Sequence, residues 1–332
     1  MEDLELVQAS GLKPAVEALR RLGINADFYL ERHGIPSDFI ELPYAPVPKR
    51  ERLWAFLDDV EGLEGLDNLG FLIGDNMDLT EVGPFGRMIA QASTLLDAVR
   101  VLQHNISNFA QRNSIGITHE GDTVWIFCES YKKTCRPADH LTLMFLVAVV
   151  RLAAGPNWRP SAVQLQTDPV EHLQSLPLLK DCSVEFNRPH AAVAVPAALL
   201  RQPLLNYDPD SPREHIHLTP LPDTGRLSDS LRVVVASLLP YHGPPGAEEA
   251  ARMVGVSRST LFRRLAGERT TYRDLVEGVR FEAARKCLRN PRLSVKDISF
   301  LLGYSNPNNF IRAFRNLAGI PPNEFRRERQ VT

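Results

Sequence analysis

Residues 247–265 read AEEAARMVGVSRSTLFRRL, and this stretch decides the fold of the C-terminal part of the chain. Its first half has small and apolar residues at helical spacing, which predicts a short helix. Gly255 then permits a left-handed backbone at a turn, and Ser257 is a good N-cap for a second helix. The second helix would bury Leu261 and Leu265, so its polar and basic side chains must face outward.

The same pattern returns at residues 295–314, which read VKDISFLLGYSNPNNFIRAF. Here Ser294 caps a short helix, Gly303 makes the turn, and Asn306 caps the following helix. The repeated order of helix, glycine turn, cap and buried pair predicts two helix-turn-helix units. Between them, Tyr272–Leu288 read as one helix about 25 Å long, which would separate the two units by roughly one turn of B-DNA, ~34 Å.

Charge is distributed unevenly along the chain. Lys and Arg outnumber Asp and Glu by 19 to 10 over residues 226–332, a net charge of +9, whereas the other 225 residues have a net charge of −11. A basic segment with two helix-turn-helix patterns is typical of a surface that binds a polyanion. We therefore predict that residues 226–332 form an all-α domain that binds double-stranded DNA.

Residues 1–205 show both helical and strand periodicity. Helices are predicted at Pro14–Leu22, Asp27–Arg32, Lys49–Val60, Thr94–Gln111 and Ala138–Leu152. Strands are predicted in a hairpin over 115–129 and near 162–167, 184–186 and 191–195. This pattern favours an α+β domain of mixed helices and antiparallel sheet. The proline-rich residues 206–225 read as a linker of extended backbone.

No sequence pattern indicates catalysis or a bound metal. The chain has no nucleophile elbow, no glycine-rich phosphate loop and no HExxH pair, and its four cysteines lack CxxC spacing. We expect a protein that is not an enzyme and has no cofactor and no metal site. The longest apolar run, Leu141–Val150, is too short to span a bilayer, and no secretory signal opens the chain. We therefore expect a cytoplasmic protein without a membrane partner.

The C-terminal motifs also resemble those of a known family. Residues 303–315 (GYSNPNNFIRAFR) and 319–326 (GIPPNEFR) resemble the C-terminal signature of the AraC family of regulators, and residues 279–284 (VRFEAA) resemble the linker helix of that family. The resemblance implies a bacterial transcription regulator, associated with the nucleoid when bound, that reads two adjacent major grooves per subunit. Arg269 departs from the pattern, because the family usually has glycine there, and this affects the expected backbone before the linker helix.

The predicted DNA-binding residues lie on the two recognition helices, the second helix of each helix-turn-helix unit. They are Arg258, Ser259, Thr260, Phe262 and Arg263 in the first, and Asn308, Asn309, Ile311, Arg312 and Arg315 in the second. The family pattern gives base contacts to Ser259, Phe262, Arg263, Asn308, Ile311 and Arg312. Arginine can pair with guanine and asparagine with adenine, and Phe262 and Ile311 either touch thymine methyl groups or pack within the protein. Thr260, Asn309 and Arg315 are expected at phosphates, with a surface salt bridge as the alternative for Arg315.

The N-terminal half resembles the N-terminal domain of an AraC subgroup with ornithine-responsive and quorum-linked members. The resemblance rests on residues 19–24 (LRRLGI), 83–86 (GPFG) and 93–99 (STLLDAV). The domain is labelled arabinose-binding by analogy, and the resemblance implies effector sensing, dimerisation or both. Expected partners are therefore a small-molecule effector, a second subunit and RNA polymerase. An architectural or anti-regulatory DNA-binding protein that acts through protein partners is the alternative.

The sequence does not identify effector-binding residues. Five polar or aromatic residues on or near the predicted hairpin could line a pocket, or could instead form a sheet face between helices and solvent. These are Arg112, His119, Trp125, Glu129 and Tyr131.

Overall fold

A computed structural model describes residues 5–42, 45–75, 77–130, 134–170, 173–216, 218, 220–222 and 226–330. The chain divides into two compact units, an N-terminal unit of Glu5–Asp223 and a C-terminal unit that contains Thr224–Thr332. Each unit buries its own set of apolar side chains.

The N-terminal unit combines helices with short strands. Its α-helices are α1 (Lys13–Arg21), α2 (Ala26–Arg32), α3 (Ala55–Glu64), α4 (Leu69–Gly74), α5 (Pro84–Ala90), α6 (Leu95–Phe109) and α7 (Arg136–Ala154). Its strands are β1 (Leu6–Gln8), β2 (Pro46–Pro48), β3 (Asn113–Glu120), β4 (Thr123–Ser130), β5 (Ala162–Gln164), β6 (Ser183–Glu185) and β7 (Ala191–Pro196). A π-helical segment, Lys49–Trp54, leads into α3, and 3-10 turns cover Ala9–Leu12, Ser37–Glu41, Leu79–Val82, Leu173–Ser175, Pro177–Leu179 and Ala197–Arg201. The predicted α+β class is therefore confirmed.

Two sheets organise these strands. Strands β1 and β2 form a small antiparallel pair, and the other five form one sheet in the order β3-β4-β7-β5-β6. The pairings β3–β4, β4–β7 and β5–β7 are antiparallel, but β5 and β6 run parallel. The prediction of an antiparallel sheet thus needs one correction at its β6 edge, because a crossover connects β5 to β6.

The main core lies between the sheet and the helices α6 and α7. Strand β4 alternates buried with half-buried residues, since successive side chains point to opposite faces of a sheet. Val124 and Ile126 belong to the same buried cluster as Leu102 of α6 and Leu143 of α7. Among the described residues, α7 is the one helix long and apolar enough to cross a membrane, but 67% of it is buried inside the unit, as in a core helix.

Residues 206–222, predicted as a linker, contact the N-terminal unit at several points. Arg87 Nε lies 3.0 Å from Glu214 Oε2, and Arg213 Nη2 donates to Ser93 Oγ at 3.2 Å. Leu221 is buried. Polar and apolar contacts therefore hold this extended segment against the helices.

The described part of the C-terminal unit is all α. Its helices are α8 (Leu227–His242), α9 (Ala247–Met253), α10 (Arg258–Gly267), α11 (Tyr272–Cys287), α12 (Val295–Leu301), α13 (Pro307–Ala318) and α14 (Pro322–Gln330). Helices α9 and α10 form the first predicted helix-turn-helix unit, α12 and α13 form the second, and α11 is the helix between them.

Candidate nucleic-acid interface

The first helix-turn-helix unit turns at Gly255, which has a φ of 71°. Its N–H donates to Arg252 O at 3.0 Å, and the next N–H, that of Val256, donates to Ala251 O at 3.0 Å. This pair of bonds is a Schellman motif, which satisfies the last carbonyls of α9 and requires the left-handed residue. Ser257 Oγ then accepts the Thr260 N–H at 3.2 Å and starts α10.

The second unit repeats this backbone at Gly303, whose φ is also 71°. Gly303 N–H donates to Phe300 O at 2.9 Å, and Tyr304 N–H donates to Ser299 O at 3.0 Å. Asn306 Oδ1 accepts the Asn308 N–H at 2.8 Å and caps α13. The two turns therefore have the same hydrogen-bond pattern, as the repeated sequence pattern predicts.

Each recognition helix buries one face and exposes the other. Leu261 and Leu265 of α10, and Phe310 and Phe314 of α13, are at most 2% exposed. Helix α12 buries Ile298 and Ser299, and the residue that follows the helix, Leu302, is also buried. Leu301 is 44% exposed, because it lies roughly a quarter turn away from the face formed by Ile298 and Leu302.

The first recognition helix presents most of its predicted DNA-binding residues to solvent. Arg258, Ser259, Phe262 and Arg263 are exposed, with 42% of Phe262 accessible. The Arg258 guanidinium lies 5.4 Å from the centroid of the Phe262 ring, a cation–π contact. Thr260 is half-buried, and its Oγ1 accepts from the capping Ser257 hydroxyl at 2.9 Å. Within the described residues, Arg263 has no hydrogen bond or ion pair.

The second recognition helix exposes Asn308, Asn309, Arg312 and Arg315, whereas Ile311 is half-buried. Arg312 Nη2 donates to Asn309 Oδ1 at 3.3 Å, so these two side chains are held together. Arg315 has no ion pair within the described residues, so the salt-bridge alternative finds no partner there. The structure thus brings all ten predicted residues onto two helices of one compact unit.

Sequence reasoning missed the role of Arg280, on helix α11. Arg280 Nε donates to Leu302 O and Nη2 donates to Gly303 O, both at 2.9 Å. The guanidinium also lies 4.2 Å from the centroid of the Tyr304 ring. Burial raises the pKa of the Tyr304 hydroxyl, which keeps that ring neutral beneath the cation. Arg280 therefore joins helix α11 to the turn of the second helix-turn-helix unit.

Arg269 adopts the conformation that glycine usually supplies. Its φ is 57°, its N–H donates to Ala266 O at 3.0 Å, and the Thr270 N–H donates to Leu265 O at 3.0 Å. These are again the two bonds of a Schellman motif at the end of α10. The departure from glycine thus leaves the turn before the linker helix intact, at the cost of a strained backbone residue.

Two further contacts join the ends of these helices. Glu268 accepts the N–H groups of Leu227 and Ser228 at 2.9 and 3.0 Å, so the end of α10 caps α8. The Tyr272 hydroxyl, at the start of α11, donates to Pro245 O at 2.7 Å. Burial raises the pKa of Tyr272, so it remains a neutral donor. The first contact joins the end of α10 to α8, and the second joins α11 to the segment before α9.

The hairpin residues suggested for an effector pocket do not come together in one, although Arg112 lines a separate cavity with Ser107, Gln111 and Leu221. Trp125 Nε1 donates to Glu120 Oε2 at 2.8 Å, and the Ser114 hydroxyl donates to Glu129 Oε2 at 3.0 Å; Trp125 is half-buried, and the other three residues are exposed. His119 is also exposed. Trp125 and Glu129 lie on the face of β4 opposite the buried Val124 and Ile126, whereas His119 pairs with Val124 near the turn of the hairpin. Tyr131 lies outside the described residues. No group of metal-ligating side chains occurs among the residues that were placed.

Two family models match the chain. The arabinose-binding domain of AraC transcription regulators, N-terminal, matches residues 23–204, and a helix-turn-helix domain matches residues 250–328. The second match covers both recognition helices and the helix between them.

Two relatives in sequence are named transcription regulators. The chain is 30% identical over 194 residues to the HTH-type transcriptional regulator VirS of Mycobacterium tuberculosis, a match that covers 56% of this chain and only 55% of VirS. It is 27% identical over 348 residues to the ornithine utilization regulator of Pseudomonas aeruginosa, covering 97% and 96% of the two chains. The crystal structure of the regulator CdpR from Pseudomonas aeruginosa aligns with a TM-score of 0.41 at 20% identity, over 96% of this chain and 98% of CdpR.

Proposed function

Since the chain belongs to the AraC family of transcription regulators, we propose that it binds specific double-stranded DNA sites and regulates transcription there. The observation that carries this proposal is the pair of recognition helices α10 and α13. Both begin after the same Schellman turn and both bury one apolar face; α10 exposes hydroxyl and guanidinium groups, and α13 exposes amide and guanidinium groups. Such groups are the hydrogen-bonding partners of base edges in the major groove.

The two recognition helices present different chemical groups for contacts with bases. Arg263 in α10, and Asn308 and Arg312 in α13, can form hydrogen bonds to guanine or adenine. Ser259 supplies a hydroxyl, and the exposed ring of Phe262 can reach thymine methyl groups. One subunit should therefore read two unlike half-sequences rather than a repeat.

Other polar residues of the two helices fit phosphate contacts. Thr260, Asn309 and Arg315 flank the proposed reading residues on the same helices, and Arg258 lies in the first turn of α10. The net charge of +9 over residues 226–332 favours a polyanion at this unit. Helix α11 has 16 residues and is therefore about 24 Å long, which supports the entry of α10 and α13 into successive major grooves.

The remaining parts of the proposal concern the whole regulator. It acts as a homodimer in the bacterial cytoplasm, responds to a small molecule or a protein partner through its N-terminal unit, and contacts RNA polymerase at its promoters. It performs no catalysis. The match of residues 23–204 to an effector-domain model supports the sensing role.

The test begins with mapping of the DNA bound by the full chain in cells, followed by footprinting on the sites found. Arg263→Ala and Arg312→Ala should each lose about 1–3 kcal/mol of binding, or roughly 5- to 150-fold in affinity. Arg273→Ala is the matched control, because it removes an equal charge from the exposed face of α11, where Arg273 pairs with Glu277 at 3.1 Å.

A footprint with defined edges that both variants weaken supports the proposal. Diffuse protection of any DNA would overturn it in favour of an architectural protein. Binding that survives both substitutions together would overturn the assignment of these two arginines.

A further inference from the structure

An apolar cavity lies inside the N-terminal unit, on the inner side of the β3–β4 hairpin. Its volume is about 120 Å³, and it lies where β1, α3, α6, β3, β4 and α7 converge. Trp54, Phe109 and Phe145 supply aromatic walls, and Ala138 and Thr142 form part of the α7 side. Every described element that meets here belongs to this one unit.

The aromatic wall is constrained by its surroundings. Phe85, itself 1% exposed, stacks on Phe109 with ring centroids 4.6 Å apart and lies nearly parallel to Phe145 at 6.1 Å. A Cβ atom on Gly11 would lie 2.8 Å from Phe109 Cζ, so glycine leaves the space that this ring needs. Phe109 and Phe145 remain only half-buried although they pack against the core. They therefore offer apolar surface that a ligand could cover.

The lining specifies the class of ligand. It contains no charged residue, and the Thr142 hydroxyl already donates to Ala138 O at 2.8 Å. An ionised or zwitterionic molecule would lose its hydration there without gaining a charged partner, which is costly. A cavity of about 150 Å³ with aliphatic and aromatic walls is known to hold benzene, so the space here suits one ring or a short hydrocarbon chain.

A direct structural link joins this cavity to the end of the unit. Phe109 and Ala110 line the cavity, and the next residue, Gln111, is 5% exposed. Gln111 Oε1 accepts the Leu6 N–H at 2.6 Å, and Gln111 Nε2 donates to Pro222 O. Pro222 is the last described residue before the C-terminal unit. Gln111 is therefore a positioning residue between the cavity wall and the chain segment that leads to the DNA-binding helices.

We propose that this cavity binds a small, uncharged, apolar effector, and that Gln111 transmits its presence to the segment around Pro222. The effector role rests on the proposed function, because it needs a DNA-binding activity to modulate. A ligand packed against Phe109 and Ala110 restrains the backbone that carries Gln111. By linkage, the ligand and the DNA must then change each other's affinity by the same factor.

Fluorobenzene, detected by ¹⁹F NMR with the full chain, is the probe for the cavity. Wild type should bind it saturably, whereas Thr142→Leu should lose at least tenfold in affinity because leucine fills the space. Thr142→Ser keeps the space open and should bind as wild type does. Should Thr142→Leu fail to fold by circular dichroism, Ala138→Val fills the same wall from the neighbouring turn of α7. Absence of saturable binding to wild type, or equal binding by the filled variants, would overturn the cavity assignment.

The coupling is tested by DNA affinity with and without fluorobenzene. A change of fivefold or more is expected for wild type. Gln111→Met should abolish that change while it leaves fluorobenzene affinity intact. Gln103→Met is the matched control on α6, since Gln103 donates to Ile115 O at 3.3 Å and does not contact residue 222; it should keep the coupling.

The outcomes separate the two proposals. Sequence-specific DNA binding without fluorobenzene binding overturns the cavity site and leaves the proposed function standing. Fluorobenzene binding without any defined DNA site overturns the proposed function and leaves the cavity site standing. Fluorobenzene binding that never alters DNA affinity overturns the effector role.

Discussion

At the scale of single residues, the backbone of Arg269 is strained, and substitution by glycine should remove that strain. Its side chain is exposed, but its φ of 57° lies in the left-handed region, which costs a non-glycine residue roughly 1–2 kcal/mol. Arg269→Gly should stabilise the C-terminal unit by up to about 1 kcal/mol, after the greater entropy of glycine in the unfolded chain is subtracted. Hydrogen exchange of residues 258–288 in the full chain measures the change.

The control for Arg269→Gly is Arg289→Gly. Arg289 is also exposed and also follows a helix end, but it does not have a positive φ. Glycine should therefore destabilise the protein at position 289. Equal effects at the two positions would contradict the strain argument.

His140 is a buried imidazole whose protonation should oppose folding. It is 0% exposed, its ring lies 4.6 Å from the Phe71 ring, and neither ring nitrogen has a hydrogen-bond partner within the described residues. Burial lowers the pKa of His140 to about 4. Below pH 6.5, His140 therefore binds a proton in the unfolded chain but stays neutral in the folded chain. The free energy of unfolding should keep its full value above pH 6.5 and fall between pH 6.5 and 4, by at most about 1.4 kcal/mol per pH unit.

The three tryptophans all lie in the N-terminal unit, so urea unfolding followed by tryptophan fluorescence reports this pH dependence. His140→Phe should flatten the curve over that pH range, because it removes the titrating group and keeps an aromatic ring beside Phe71. His119→Phe, on the exposed surface of β3, should leave the curve as in wild type. A curve that keeps its slope in His140→Phe would assign the dependence to other groups.

At the scale of elements, the contacts that Arg280 of α11 makes with the second helix-turn-helix unit, here called the clamp, should stabilise that unit more than the exposed salt bridges of α11 do. Arg280→Ala removes two charge-assisted hydrogen bonds and a cation–π contact, a loss of about 2–4 kcal/mol from the local stability of α12 and α13. Hydrogen exchange over residues 295–318 should rise accordingly, and DNA affinity should fall with it. Arg273→Ala, which breaks only an exposed ion pair on the same helix, should change exchange little. Similar exchange in both variants would contradict the clamp.

The helix-turn-helix units could be predicted from sequence because their signals are local. Gly255 and Gly303 stand where a left-handed residue closes a helix, and Ser257 and Asn306 cap the next helix within three residues. Arg280 could not be identified in this way. Its partners are 22 and 23 residues away, and an arginine on a helix gives no sign that it will bond to distant carbonyls.

The N-terminal unit was harder to predict for similar reasons. Helix α4 spans only six residues, two of them glycines, which is too few for a clear helical period. The cavity combines residues from Val7 to Leu146, so no single motif contains it. The hairpin residues suggested from the sequence are polar or aromatic, whereas the side chains that line the cavity are mainly apolar.

At the scale of the whole molecule, charge separates along the chain. The 107 residues from 226 onward have a net charge of +9, and the rest have a net charge of −11. Electrostatic attraction to DNA is therefore concentrated in the unit that carries α10 and α13, and the N-terminal unit should be repelled from the phosphate backbone. This arrangement favours one orientation of the regulator on DNA.

The charge pattern predicts a steep salt dependence of DNA binding, to which Arg315 contributes. Each phosphate neutralised by a basic side chain adds about −0.9 to the slope of log affinity against log salt concentration. Arg315, exposed and without an ion pair within the described residues, should account for one such contact, so Arg315→Ala should make the slope shallower by about 0.9. Asn309→Ala should weaken binding without changing the slope, because an amide releases no counterion. Fluorescence anisotropy titrations of the full chain on a mapped site, at several salt concentrations, measure both; an unchanged slope in Arg315→Ala would remove this residue from the phosphate-binding set.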